Sequence, residues 1–396
     1  MKFPDVETSG LRGNIPKVYA LKFLTGFLLL TPIIVVFWQE NGLNMTQVML
    51  LQSLFAVAVV LLEVPTGYIA DTFGRRKTLL SAGVFMTLGM AVYSLGHTFP
   101  EFLLGETIWA IGVSLVSGAD SALLYDTLIE LGMEGEYQRL WGNATSLQMV
   151  AAAAAAILGG FLGDIFLRLT LYAQVPVIIF AIPVAYSLRE PEHHQSVEEE
   201  EAAGLREILE SGFRDRSLRW LMLYAAVIGA GLTTSLWLYQ PYFQLTGLDV
   251  ASFGLIFAGF NIVSAASSKY AYPIEDRLGK RNSLLLLSGL LVFSLAAMSS
   301  YVYAFSFAFI FLQQFARGFS RPVISDYINE MVSSDRRSTL LSAKSLLTRI
   351  SSAALMPGIG YVTDVFSLTQ ALSLLAVIVM VMASLLAVLM WKEGVI

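Results

Sequence analysis

Glu63 and Asp120, Arg317 and Arg321, and Lys344 and Arg349 all fall inside apolar runs long enough to cross a bilayer. An ionised side chain at the centre of a membrane costs about 2.5–3.5 kcal/mol on insertion scales, so each of these charges needs a chemical reason to be there. Three chemistries suit these residue types: proton carriage by a carboxyl, recognition of an anion by guanidinium and ammonium groups, and ion pairing that closes a gate. Burial raises a carboxyl pKa and a nearby cation lowers it, so a carboxyl that alternates between those settings can carry a proton. Asp120 and Glu63 are the candidates for that coupling. The structural alternative is a permanent ion pair or, for Glu63, a hydrogen bond to helix backbone near Pro65. Arg317 and Arg321 are spaced i,i+4 and share one helix face. With Lys344 and Arg349 they suit an anionic or zwitterionic amphiphile held by a guanidinium fork. Either arginine can equally neutralise Asp120 and close an inner gate, and both readings stand. Trp38 with Gln39, and Trp237 with Tyr239 and Gln240, fall near the outer ends of their runs. Aromatic residues there serve as interfacial anchors or, on cavity-lining helices, as substrate contacts.

Other chemistries lack their residues. The chain has no cysteine, which removes disulfides, thiolate metal sites and cysteine nucleophiles, and only three histidines. No G-x-x-x-x-G-K-[ST] phosphate loop, G-x-S-x-G or H-E-x-x-H sequence occurs. The expectation is a protein that is not an enzyme, has no cofactor or metal site, and does not bind nucleic acid. His193 and His194 read as solvated loop residues.

The elements that must position these charges are membrane helices. Of 396 residues, 56% are hydrophobic and 14% charged, where a soluble domain would carry about 25% charged. The mean hydropathy is +0.67. Apolar runs of about 20 residues predict twelve spans near 17–39, 46–70, 77–97, 101–128, 139–163, 168–188, 218–240, 250–271, 281–301, 303–330, 338–362 and 367–391. Asn44 with Gln47, and Asp249 with Ser252, have the spacing of helix caps. Residues 1–16 lack a signal-peptide core, so the first span is expected to act as an uncleaved anchor. With both termini cytoplasmic, eighteen of the 25 Lys and Arg lie inside and Arg168 alone outside, the remaining six falling within spans. The longest polar break, 189–217, holds the acidic run from Glu198 to Glu201 and a short amphipathic stretch at 205–213. It predicts three parts: a six-helix bundle at 1–188, an acidic linker at 189–217 and a second six-helix bundle at 218–396.

One stretch, 67–77, joins the second and third spans and reads Gly-Tyr-Ile-Ala-Asp-Thr-Phe-Gly-Arg-Arg-Lys. Gly74 supplies the backbone freedom of a tight turn. Asp71 can meet Arg75 or a helix N-terminus. Asp71, Gly74 and Arg76 recur at an offset of 205 as Asp276, Gly279 and Arg281. Gly118, Asp126, Glu130, Gly160 and Asp164 recur at an offset of 200 as Gly318, Asp326, Glu330, Gly360 and Asp364. Each half therefore copies the other. Asp126 is expected to pair with Arg75, and Asp326 with Lys280 or Arg281. Asp120 lies about 240° round a helix from Asp126 and so cannot share its face. The run of alanines at 151–156 reads as close packing through small residues.

The pattern G-x-x-x-D-x-x-G-R-R/K at Gly67, Asp71, Gly74, Arg75 and Arg76 resembles the loop signature of the major facilitator superfamily, and the twofold repeat extends the resemblance over the whole chain. The likeness is to bacterial proton-coupled permeases for drugs and metabolites. It implies two six-helix bundles around a central cavity lined by the first, fourth, seventh and tenth spans, and alternating access by rocking. It also implies a conformational lock of Asp71, Arg75 and Asp126 with its counterpart at Asp276, Gly279, Arg281 and Asp326. Three departures stand out. Tyr272 occupies the place of Gly67 in the second copy, only Gly159 and Gly160 remain of the fifth-span antiporter pattern, and the fourth span lacks the arginine of many drug–proton antiporters. The functional expectation is a monomeric secondary transporter of the inner (plasma) membrane, driven by protons, exporting amphipathic drugs or metabolites by antiport. Uptake or exchange of an organic anion is the alternative, and a transporter-like receptor or scaffold the alternative of another class.

Overall fold

The computed structural model describes residues 10–192, 215–333 and 336–394. The acidic run at 198–201, the amphipathic stretch at 205–213 and both linker histidines lie outside the described residues. Within them every regular element is helical. In chain order these are α1 (Asn14–Gly26), α2 (Ile34–Glu40), α3 (Met45–Phe73), α4 (Arg75–Leu95), α5 (Phe99–Val116), α6 (Ala119–Glu130), α7 (Tyr137–Ile165), α8 (Leu167–Ile179) and α9 (Ala181–Ser187). After the linker come α10 (Arg216–Leu236), α11 (Tyr239–Leu245), α12 (Val250–Lys269), α13 (Ala271–Ser300), α14 (Ile310–Met331), α15 (Arg337–Val365) and α16 (Leu368–Lys392).

Among the described residues eight segments are long and apolar enough to cross a membrane, and the pair α10–α11, bent by 45°, makes a ninth. The other three expected spans coincide with α1–α2, α14 and α15. The first is interrupted, and the other two carry Arg317, Arg321, Lys344 and Arg349, which lowers their apolarity.

Several expected spans are helix pairs rather than single helices, and each break has a local cause. Backbone groups freed inside a membrane must find partners within the protein. At the α1–α2 break the amide side chain of Gln174, fully buried on α8, supplies them. Its Oε1 accepts from Leu29 N at 2.6 Å and its Nε2 donates to Phe27 O at 3.0 Å. The expected fourth span is broken at Gly118, whose φ of 84° ends α5 and starts α6. Its repeat partner Gly318 sits in unbroken helix, where a side chain would meet Ser264 O at 2.0 Å. Repeat copies thus keep the residue and use it differently. Asn44 and Gln47 cap α3 reciprocally, as their spacing predicts. Asp249 makes no such side-chain bond at the start of α12.

The chain forms two compact units. The first runs as far as Phe37, resumes at Ala58 and takes Val250–Ala258; the second takes Trp38–Val57, extends up to Asp249 and continues from Gly259. Besides the linker, then, the division cuts α2, α3 and α12. Hydrogen bonds explain the placement of the start of α3. Asp364 of α15 accepts from Met45 N at 2.9 Å, Thr46 N at 2.7 Å and the Thr46 hydroxyl. Gly360 allows this approach, since a side chain there would meet Met45 O at 2.7 Å. The start of α12 packs on α7 through Gly254, where an added carbon would lie 2.2 Å from Ala156 O.

Packing through small residues organises the first unit. Among lipid tails, helix association relies on close contact more than on removing apolar surface from water. The buried stripe of α7 is Ala151, Ala155, Ala156, Gly159, Gly160 and Gly163. A carbon added at Gly159 would fall 1.8 Å from Leu29 O, within the α1–α2 break. Gly159→Val is therefore expected to force α7 away from that break and destabilise the protein by about 1–3 kcal/mol or more. Thermal unfolding in detergent measures this, and an unchanged midpoint would contradict the close packing.

Candidate functional site

The hinge between α3 and α4 is built from the first unit alone. Gly74 caps α4 with φ 94° and ψ 148°, a region open essentially to glycine. The exposed α4 amides are taken by a residue beyond α9. Glu190 accepts from Arg75 N through Oε1 at 2.7 Å and from Arg76 N through Oε2 at 2.8 Å. A side chain on Gly74 would lie 2.9 Å from that carboxyl carbon, so the glycine provides room as well as conformation. A carboxylate at a helix N-terminus also meets the positive end of the helix dipole. Arg75 reaches the other way, with Nε 2.7 Å from Asp126 and an outer nitrogen 3.3 Å from Asp71. Arg76 donates twice to Tyr186 O, at 3.0 and 2.7 Å, and covers the Tyr186 ring. Gly67, one helical stretch earlier, has open space around it. Behind the hinge lies a core of Val18 and Leu21 (α1), Leu79 (α4), and Leu123, Leu124 and Leu128 (α6).

The repeat at α13 keeps the backbone and changes the contacts. Gly279 holds φ 73° and ψ 166°, with nothing near enough to touch a side chain. The pairing expected of Asp326 falls to Glu330, which takes the Lys280 ammonium. Tyr327 donates to Glu275 at 2.7 Å. Asp276, Arg281 and Asp326 stand exposed, and among the described residues none of them forms an ion pair.

Asp120 is 7% exposed, in the first turn of α6 just beyond the Gly118 break. Its Oδ2 lies 2.7 Å from the Lys22 ammonium on α1, and its Oδ1 accepts from Ser121 N at 2.7 Å. Lys22 also sits over the Trp141 ring, 4.3 Å from its centre. An ion pair closed on both sides in this way satisfies the carboxylate within its own unit. Asp126, on the same helix, serves the hinge. Glu63 occupies a different setting: it is exposed on α3, beside Leu61 and Val64, which are also exposed.

In the second unit Arg317, Arg321, Lys344 and Arg349 line one cavity of about 330 Å³ between α10, α14 and α15. Ala225, Ile228 and Leu232 form its apolar wall. Arg317 is tied by a bond to Leu232 O, and Lys344 lies 3.3 Å from the Ser325 hydroxyl. Among the described residues no carboxylate lines the cavity or pairs with any of these cations.

Trp38 and Trp237 lie together, ring centres 6.0 Å apart, with Gln39 half-buried alongside on α2. Tyr239 and Gln240 are, like Trp38, wholly buried. The Tyr239 hydroxyl, at the start of α11 just past the 45° bend, donates to Gln313 at 2.8 Å and accepts from Gln314 at 3.2 Å. Arg168, expected in an outer loop, is likewise buried at the start of α8, donating to the carbonyls of Ser94 and Gly96 at 2.9 Å each.

Comparison with known proteins bears on this architecture. The family model of the Major Facilitator Superfamily matches residues 18–250 and 238–395. The chain belongs to the Major Facilitator Superfamily. The class G tetracycline resistance protein of Vibrio anguillarum is 25% identical over 319 residues, 77% of each chain. The lysophospholipid transporter LplT of Photorhabdus laumondii is 29% identical over 146 residues, 35% of each chain. Among solved structures, a mutant of the nucleoside transporter NupG shares the fold at a TM-score of 0.82 and 13% identity, over 95% of this chain and 99% of that one.

As a superfamily transporter the protein is a multi-pass membrane protein, and its site holds residues that sequence reasoning passed over. Glu190 reads as linker polarity because it follows the last apolar residue. Gln174, a lone amide amid an apolar run, and Glu106, a buried acid of α5 set beside Tyr93, were available signals. Lys22 stands out as a cation within the first span, but its partner lies ninety-eight positions away and no spacing points to it. Removing one member of a buried pair strands the other charge, at a cost of about 3–5 kcal/mol. Lys22→Met and Asp120→Asn are each expected to lower the thermal midpoint markedly, and the double variant to recover most of the loss. A double variant no more stable than the worse single one would mean that the pair is not the source of the effect.

Proposed function

We propose that this protein is a proton-coupled secondary transporter that works by alternating access and exports an amphipathic organic solute bearing an anionic group. The cavity carries the reading: four cations face an apolar wall, and that surface suits a molecule with an acidic head and a greasy body. Its relative named for tetracycline resistance supports export. Uptake or exchange of an organic anion uses the same cavity and differs in direction. Trp38, Gln39 and Trp237 complete the substrate path, with Tyr239 and Gln240 supporting it from behind.

Coupling is assigned to Lys22 and Asp120. A proton taken up at the Asp120 carboxylate dissolves the pair and leaves the Lys22 cation on the face of Trp141. Moving one charge through about 100 mV yields about 2.3 kcal/mol, enough to drive uphill transport. Glu63 is the second candidate carrier. Arg75 with Asp71 and Asp126 acts as the conformational lock, and Lys280 with Glu330 replaces the expected second copy. The protein is placed in the inner membrane as a monomer.

Transport into proteoliposomes after a pH jump, with a panel of organic anions, zwitterions and cationic drugs, tests the reading. Anionic amphiphiles should accumulate against their gradient in the wild type. With Asp120→Asn they should only equilibrate, and proton-driven accumulation that survives intact removes Asp120 from coupling. Asp126→Asn is expected to shift the resting population toward the inward-facing state in accessibility labelling, and an unchanged distribution counts against the lock.

A further inference from the structure

The composition of the cavity narrows the substrate further, in an argument that rests on the anionic reading above. Its polar lining consists of Arg317 and Arg321 from α14, Lys344 and Arg349 from α15, and the hydroxyls of Thr233, Ser320, Ser345 and Thr348. The α10 wall adds no titratable group. A carboxylate brings one negative charge and two acceptor oxygens. Against four cations with no carboxylate among the lining residues, it leaves most of the positive charge unmet. A phosphate monoester brings between one and a half and two charges near neutral pH, with three strong acceptor oxygens. Guanidinium groups meet such oxygens in paired, charge-assisted bonds, and an ammonium meets them as a point charge. Thr233 and Ser345 supply further hydroxyl donors, since the Ser320 and Thr348 hydroxyls already donate to Arg317 O and Lys344 O.

The cations are not equivalent. Arg317 is committed in part to Leu232 O, holding α14 against α10. Arg321, Lys344 and Arg349 make no bond to a carboxylate or backbone carbonyl among the described residues, and Lys344 has only a long contact with Ser325. Gly229 and Thr348, both in the lining, approach closely: a carbon added at Gly229 would lie 2.5 Å from the Thr348 methyl. A headgroup seated on α14 and α15 therefore has Ala225, Ile228 and Leu232 of α10 opposite for its apolar part. We infer that the transported solute is an amphipathic phosphate monoester, its dianionic head on Arg321, Lys344 and Arg349 and its apolar body on α10.

Binding to the purified full-length protein, followed by calorimetry, tests this with phenyl phosphate, benzoate and phenol, which share one ring and differ in head. Methyl phenyl phosphate represents the singly charged diester linkage of lipid headgroups, and inorganic phosphate represents the head alone. At about pH 7.5 phenyl phosphate should bind at least tenfold more tightly than benzoate. Its advantage should shrink near pH 5, because the second ionisation, with a pKa of about 6, is then reversed. Benzoate has no second ionisation in this window, so its binding should change little. Arg321→Gln and, separately, Lys344→Gln should each cut the preference for phenyl phosphate several-fold, with phenol unaffected.

Benzoate binding as tightly as phenyl phosphate would overturn the phosphate assignment and leave the anionic reading intact. Phenol binding as tightly as both anions would overturn both. A diester that matches the monoester at both pH values would reassign the head to a lipid-type phosphodiester. Inorganic phosphate matching phenyl phosphate would overturn the part played by α10.

Discussion

Charge without water around it must be matched by other charge, by a dipole or by a ligand, and the two units meet that constraint in opposite ways. The first unit closes its charges into pairs. Lys22 meets Asp120 beneath the ring of Trp141, and Arg75 bridges Asp71 and Asp126. The second unit gathers Arg317, Arg321, Lys344 and Arg349 around one cavity and leaves them facing it. A closed pair can change only by exchanging a proton or separating, whereas an open cluster waits for an anion. The two halves thus differ in these deep charges, with Ser320 at the repeat position of Asp120, while Asp71, Arg76 and Asp126 recur as Asp276, Arg281 and Asp326.

The same constraint reaches the backbone. Interrupted helices expose amides and carbonyls, and here long-range polar side chains collect them. Gln174 serves the break after α1, Glu190 the start of α4, and Asp364 the start of α3. In each case a residue with no side chain or a very small one stands alongside: Gly159, Gly74 and Gly360. Polar caps and missing side chains are two halves of one device, since a carboxylate or amide can reach backbone only where nothing else occupies the approach.

Much of this was legible in the sequence. Apolar runs located the helices, and the hinge signature brought Arg75 to Asp126. The repeat offsets put Gly279 at the same kind of backbone break as Gly74. What stayed hidden depended on contacts between distant positions. Nothing near Lys22 announces Asp120, and nothing near Glu190 announces α4. Nor does spacing reveal that Tyr239 meets Gln313 and Gln314, because the bend between α10 and α11 arises in a continuous apolar run. The pairing in the second copy differs from expectation for a related reason: Lys280 meets Glu330. Glu330 and Asp326 lie one helical turn apart, and only the direction of Lys280 chooses between them.

The clasp of Asp364 on α3 has a mechanical consequence. The first turns of α3 belong to the second unit and the remainder, with Pro65, to the first, so one continuous helix contributes to both units. A rod of this kind does not yield by degrees as a loop does. The three bonds from Met45 and Thr46 point at a single carboxylate, and they hold or release together. With three donors on one carboxylate, any change at Asp364 acts on the whole first turn of α3 at once, in the manner of a snap fastener rather than a hinge.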